Sequence, residues 1–98
     1  MIQYIPEFIG TFILVTVILV ATNEKQQLGH IAPIAIGMAL TVAIYISGVD
    51  TSGHFNPLVT MVMVLKDSIK VDESIPYIVA QLLGAIAAFT YSEHAHEN

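Results

Sequence analysis

The stretch SGHFNPLVT, residues 52–60, decides how the rest of the chain is read. It sets Gly53, His54 and the pair Asn56-Pro57 between hydrophobic stretches, and from Asn56 an almost wholly apolar run, NPLVTMVMVL, continues to Leu65. Asn is a favoured N-cap and Pro is at home at the first helical position, so a helix is expected over residues 56–65. Ten helical residues reach about 15 Å, half of a hydrocarbon core of about 30 Å. The segment therefore reads as a re-entrant half-helix. A short helix lying on the membrane surface is the plainer alternative, and the absence of a charged face weighs against it.

The surrounding chain points to a membrane. Of its 98 residues, 55% are hydrophobic and only 11% charged. A soluble domain carries about 25% charged residues. Three long apolar segments are visible, over residues 6–22, 31–48 and 75–91. Each is near the lower limit for a membrane-spanning helix. A short polar turn, NEKQQLG at 23–29, makes the first two an antiparallel pair. The first segment lacks a positive flank before it and a small-residue cleavage site after it, so it reads as a retained span. Pro6, Pro33, Pro57 and Pro76 each fall in the first turn of an expected helix, where a missing N–H is harmless. Residues 92–98 form a polar tail. Small residues recur every fourth position at Ala35, Ala39, Ala43 and Ser47, and again at Ala80, Gly84 and Ala88. Such stripes let helix backbones approach closely in lipid, within a chain or between chains.

Composition also excludes functions. With no cysteine, disulfides and thiolate chemistry are ruled out. Eight acids stand against three basic residues, all lysine, for a net charge of −5. Nucleic-acid binding and a polybasic lipid anchor lack their raw material. No nucleophile, base and orienting group are grouped, so neither an enzyme nor a cofactor is expected. His94 and His96 lack a third metal ligand and read as part of a solvated tail. Asp50 reads as a loop acid. Glu7 is costly in a span unless it is paired or lies at the interface.

A half-helix that starts inside a membrane leaves its first N–H groups without helical partners, and lipid cannot satisfy them. Facing a watery passage, they present donors and the positive end of a helix dipole. The Asn56 amide adds donors, and the irregular residues 52–55 would add carbonyl acceptors. Such a device passes water or a hydroxyl group and repels a cation.

These residues resemble a known family. SGHFNPLVT is similar to the first signature loop of the major intrinsic proteins (aquaporins and aquaglyceroporins), usually Ser-Gly-Ala-His-Xaa-Asn-Pro-Ala-Val-Thr. Glu7-Phe-Ile-Gly10-Thr11 resembles their first-helix Glu-Xaa-Xaa-Gly-Thr, and Ala80-Gln81-Leu-Leu-Gly84-Ala85 their third-helix Ala-Gln-Xaa-Xaa-Gly-Ala. The resemblance implies an all-α membrane protein with three transmembrane helices and one re-entrant half-helix, a single aquaporin-like half-repeat over residues 1–98. Leu58 replaces the family's Ala, and the sequence has neither a second Asn-Pro nor an internal repeat.

By this resemblance Gly53, His54, Asn56, Pro57 and Leu58 would line the pore, although His54 serves equally well as a structural loop residue. Glu7 and Gln81 would support the loop by bonding its backbone. Ile36, Ile44, Gly53 and Val59 stand where the family builds its selectivity constriction, with Ile36 supplied by one half and the other three by its partner. Val59 occupies the position at which second halves carry Arg, so the constriction would be apolar and would favour glycerol-like or other small uncharged solutes.

One half cannot enclose a pore. Two copies inserted in opposite orientations and meeting at Asn56 would, as a homodimer or a higher oligomer of such dimers. Lys66 and Lys70 on one side against Lys25 on the other is a weak orientation bias that permits dual topology. A heteromer with another chain, and a non-conducting accessory subunit, are the alternatives. The opening Met and polar ending weigh against an excised half. The partners implied are the bilayer, a second half and small neutral solutes.

Overall fold

The computed structural model describes residues 4–23, 28–47 and 53–96. Helix α1 spans Tyr4–Ala21. A single 3₁₀ turn, Gly29–Ile31, leads into α2, Ala32–Ser47. The short helix α3 spans Pro57–Leu65, and α4 spans Val71–His96. Three segments, Tyr4–Ala21, Gly29–Ile46 and Val71–Ala95, are helical, long and apolar enough to cross a bilayer. Among the described residues there is no strand. The protein is an all-α integral membrane protein. Gly48, Asp50, Ser52 and the turn residue Lys25 lie outside the described residues, as do the side chains of Ser47 and His96.

Helix α1 is central, packing on α2 and on α4, while α3 lies against α4. Contacts between α1 and α4 run in register along both. Tyr4 meets Tyr77 edge-on at 5.6 Å, Gln81 bonds Glu7, Gly84 abuts Phe8 and Thr11, and Phe12 meets Tyr91 at 6.0 Å. The two helices are therefore parallel. A Cβ on Gly84 would sit 2.6 Å from the Phe8 carbonyl oxygen, so only glycine permits this approach. Both stripes of small residues pack within the chain: Ala39 and Ala43 are buried on α2, and Ala80, Gly84 and Ala88 on α4.

The fourth helix corrects two expectations: residues 92–96, read as part of a polar tail, continue it with Ser92 buried, and its start is earlier than expected. It begins at Val71, so Pro76 lies inside it rather than in its first turn. The cause is the segment just upstream. The Lys70 carbonyl accepts the Glu73 and Ser74 N–H groups, and the Glu73 carboxylate takes the Lys70 N–H at 3.1 Å. This reciprocal arrangement, with Asp72 and Glu73 in the first turn, starts the helix early. Pro76 then costs only the one bond its missing N–H would have made to Asp72.

The distribution of polarity is inverted relative to a soluble domain. The largest fully buried side chains are Gln81, Glu7 and Thr60. Ile34, Met38, Tyr45, Ile86 and Phe89 are exposed. Lipid tolerates that outer surface, and between helices it leaves close packing and polar bonds to hold the fold. Exposed threonines follow the same logic: Thr41 and Thr90 donate to the Gly37 and Ile86 carbonyls one turn back, hiding their hydroxyls from hydrocarbon.

Candidate functional site

The site is built around the start of α3. Asn56 is its N-cap, in extended backbone at φ −156°, with Oδ1 accepting the Leu58 N–H at 2.8 Å. Pro57 stands at the first helical position and has no N–H to satisfy. The Asn56 carbonyl takes the Thr60 N–H at 3.1 Å. Of the first-turn donors, that leaves the Val59 N–H without a bond among the described residues. The Asn56 Nδ2 group is likewise unclaimed, and Asn56 is exposed. At its other end α3 stops sharply. Asp67 adopts left-handed backbone at φ 65°, and the Ser68 and Asp67 N–H groups turn back to the Met63 and Val64 carbonyls.

The loop preceding α3 is held from behind. Glu7 is fully buried, and its two carboxylate oxygens accept the backbone N–H groups of His54 at 3.0 Å and Phe55 at 2.8 Å. Gln81 donates through Nε2 to Glu7 Oε1 at 2.9 Å and to Thr60 Oγ1 at 2.8 Å. His54 Nδ1 lies 2.9 Å from the same Thr60 hydroxyl. That oxygen accepts from Gln81 and keeps one hydrogen and a second acceptor site, so it pairs with Nδ1 in either His54 tautomer. The His54 ring stacks obliquely near Tyr77, at 5.0 Å between centroids. Thus α1, the loop, α3 and α4 meet in one polar knot. Gln81 Oε1 and Thr11 Oγ1 are buried without a hydrogen-bond partner.

Phe55 supplies the apolar side of the anchorage. It is buried, and at φ 55° it holds a left-handed conformation that a non-glycine residue adopts at a cost. Gly53 is left-handed as well, at φ 60°. The Phe55 ring lies over Gly10 of α1: a Cβ there would overlap Phe55 Cε1.

The sequence-expected residues divide into three groups. Glu7, Gln81 and His54 converge in the buried knot. Asn56, Leu58 and Val59 stand on the exposed side at the start of α3, with Leu58 67% exposed. Gly53 faces Ile44 of α2, where a Cβ on the glycine would come 3.3 Å from Ile44 Cγ1. Ile36 is on α2 eight residues before Ile44, about 12 Å of helix rise away. Thr60 and Phe55 were given no role by sequence, and Gly10 entered only as part of the first-helix motif. Thr60 follows Asn56 by four residues but is buried where Asn56 is exposed, so that spacing carries no signal for it.

The family model described as Major intrinsic protein matches residues 1–53 and 38–96. Glycerol uptake facilitator protein-like 6 of Lactiplantibacillus plantarum is 39% identical over 90 residues, covering 88% of this chain and 40% of that protein. Aquaporin Z of Brucella melitensis is 38% identical, covering 84% and 39%. Human Aquaporin-9 is 36% identical, covering 85% and 30%. The chain thus spans two fifths or less of the length of these three relatives. No solved structure matches it.

Proposed function

This chain belongs to the major intrinsic protein family, and on that premise we propose that it is half of a passive channel for water or small uncharged solutes such as glycerol, completed by a second copy inserted in the opposite orientation. The observation that carries the proposal is the open start of α3. Among the described residues the Val59 N–H and the Asn56 amide are unclaimed donors on a helix too short to cross a bilayer, beside exposed Leu58. In hydrocarbon each such group costs several kcal/mol, so an apposed protein half and a file of hydroxyl-bearing permeants are what this surface requires. The names of its relatives, glycerol facilitators and aquaporins, favour the same permeants. Ile44, Gly53 and Val59 offer no charge at the expected constriction, which favours polyols over a strictly water-selective passage.

The bulk of Leu58 favours a second reading, in which it keeps two copies from closing and the chain is a non-conducting subunit of another channel. One experiment separates the two. The purified chain alone is reconstituted in liposomes, and water and glycerol permeability are followed by light scattering. Flux above that of empty vesicles supports the homodimer; none leaves the accessory reading. Labelling both termini from each side of the membrane tests the inverted pairing, which fails if every chain labels from one side only.

A further inference from the structure

The geometry points to Phe55 as the residue that sets the width of the passage from behind it, a specificity determinant that itself touches no solute. This rests on the channel reading above. Four groups lie in one line of contact. Gly10 of α1 meets one edge of the Phe55 ring: its Cβ position would overlap Cε1 and lies 2.6 Å from Cδ1 and Cζ. Gly53 meets the ring at Cε2 and Cζ, its Cβ position 3.3 and 3.4 Å away, and the same position lies 3.3 Å from Ile44 Cγ1. The ring is therefore a spacer between α1 and the loop. Its breadth decides how far Gly53 stands from α1 and how closely it crowds Ile44. The ring is buried, and Glu7 holds the Phe55 backbone through its N–H, so a change at either edge passes to the neighbours the ring touches.

A narrower side chain lets the loop settle toward α1 and opens the gap between Gly53 and Ile44. A methyl on Gly10 pushes the ring the other way and closes it. The test uses the full chain in liposomes, as wild type, Phe55→Leu, Gly10→Ala and the double variant. Permeability is measured for glycerol and for the longer polyol ribitol, with thermal unfolding as a check on folding. The ribitol-to-glycerol ratio is expected to rise at least about threefold in Phe55→Leu, to fall in Gly10→Ala, and to return toward wild type in the double variant. A purely structural role would lower both fluxes together and leave the ratio unmoved, and that result overturns the proposal. Ratios that shift in Phe55→Leu with no restoring effect of Gly10→Ala also overturn it, because the ring would not then be acting as a spacer on Gly10. Absence of wild-type flux would refute the channel reading itself, and this inference with it.

Discussion

Removing the Glu7 carboxylate should release the loop without unfolding the bundle. In Glu7→Ala the His54 and Phe55 N–H groups, bonded at 3.0 and 2.8 Å, lose their acceptors, and Gln81 loses one of its two. A buried donor left unsatisfied costs about 1–3 kcal/mol, so the two amides together cost about 2–6 kcal/mol. Phe55 also holds a left-handed φ of 55°, and without its bond the loop gains about a further 1–2 kcal/mol by relaxing it. The seam between α1 and α4 at Gly84 does not depend on Glu7, so the helices should stay together while the loop detaches. Amide hydrogen exchange in detergent micelles reads this directly. At 1.4 kcal/mol per factor of ten, the His54 and Phe55 amides should exchange at least about tenfold faster, while amides in the middle of α1 and α4 keep their protection. Glu7→Gln keeps one acceptor oxygen but turns an amide donor toward an N–H, so it should fall between the two. Wild-type exchange rates at both amides in Glu7→Ala would refute the anchoring role.

Three further outcomes follow from other contacts. Gly84→Ala places a methyl 2.6 Å from the Phe8 carbonyl and should lower stability by about 1–3 kcal/mol, whereas Gly37→Ala, with nothing within 4 Å, should be neutral or stabilise by up to about 1 kcal/mol; equal unfolding midpoints for the two contradict the seam. Thr60→Val keeps shape but removes the hydroxyl shared by His54 and Gln81, costing about 1–3 kcal/mol of unfolding free energy, and the ¹⁵N resonance of His54 Nδ1 should shift as its bond is lost; an unmoved Nδ1 resonance contradicts the contact. Leu58→Ala trims an exposed side chain, so the fold should change by no more than about 0.5 kcal/mol while glycerol flux rises; unchanged flux argues that Leu58 does not lie where two halves meet.

The helices were legible because their signals are local. Asn56-Pro57 at the head of an apolar run marks α3 by capping chemistry alone, and the structure starts the helix at Pro57. The early start of α4 was missed because hydropathy dominates the reading of a span, and residues 71–74 include two acids and a serine. Their part is electrostatic and capping, which an apolar window does not register. Within the site, Glu7 and Gln81 stand out as polar groups in spans. Thr60 and Phe55 do not, since a threonine and a phenylalanine in a membrane segment are ordinary. What makes them matter is a meeting of distant elements, 21 residues apart for Thr60 and Gln81 and 45 for Phe55 and Gly10. The small-residue stripes gave no choice between packing within and between chains. The Gly84 contact with α1 decides it for α4.

Asn56→Asp offers the sharpest test of the proposed passage, because it separates capping from electrostatics. Asp caps a helix as well as Asn does, and the bond from the Leu58 N–H to Oδ1 can persist, so α3 should remain intact. What changes lies on the exposed side: the two Nδ2 donors vanish and a negative charge appears. The start of α3 is worth about half a positive charge, which a full carboxylate charge outweighs. In the proposed passage that dipole, the apolar Ile44, Val59 and Leu58 and the outward donors of Asn56 together disfavour a cation. The new carboxylate removes those donors and offers a cation direct compensation. Sodium leak should therefore rise and glycerol flux fall in the same vesicles. If glycerol flux is unchanged, the permeant never meets Asn56, and the open start of α3 serves a purpose other than conduction.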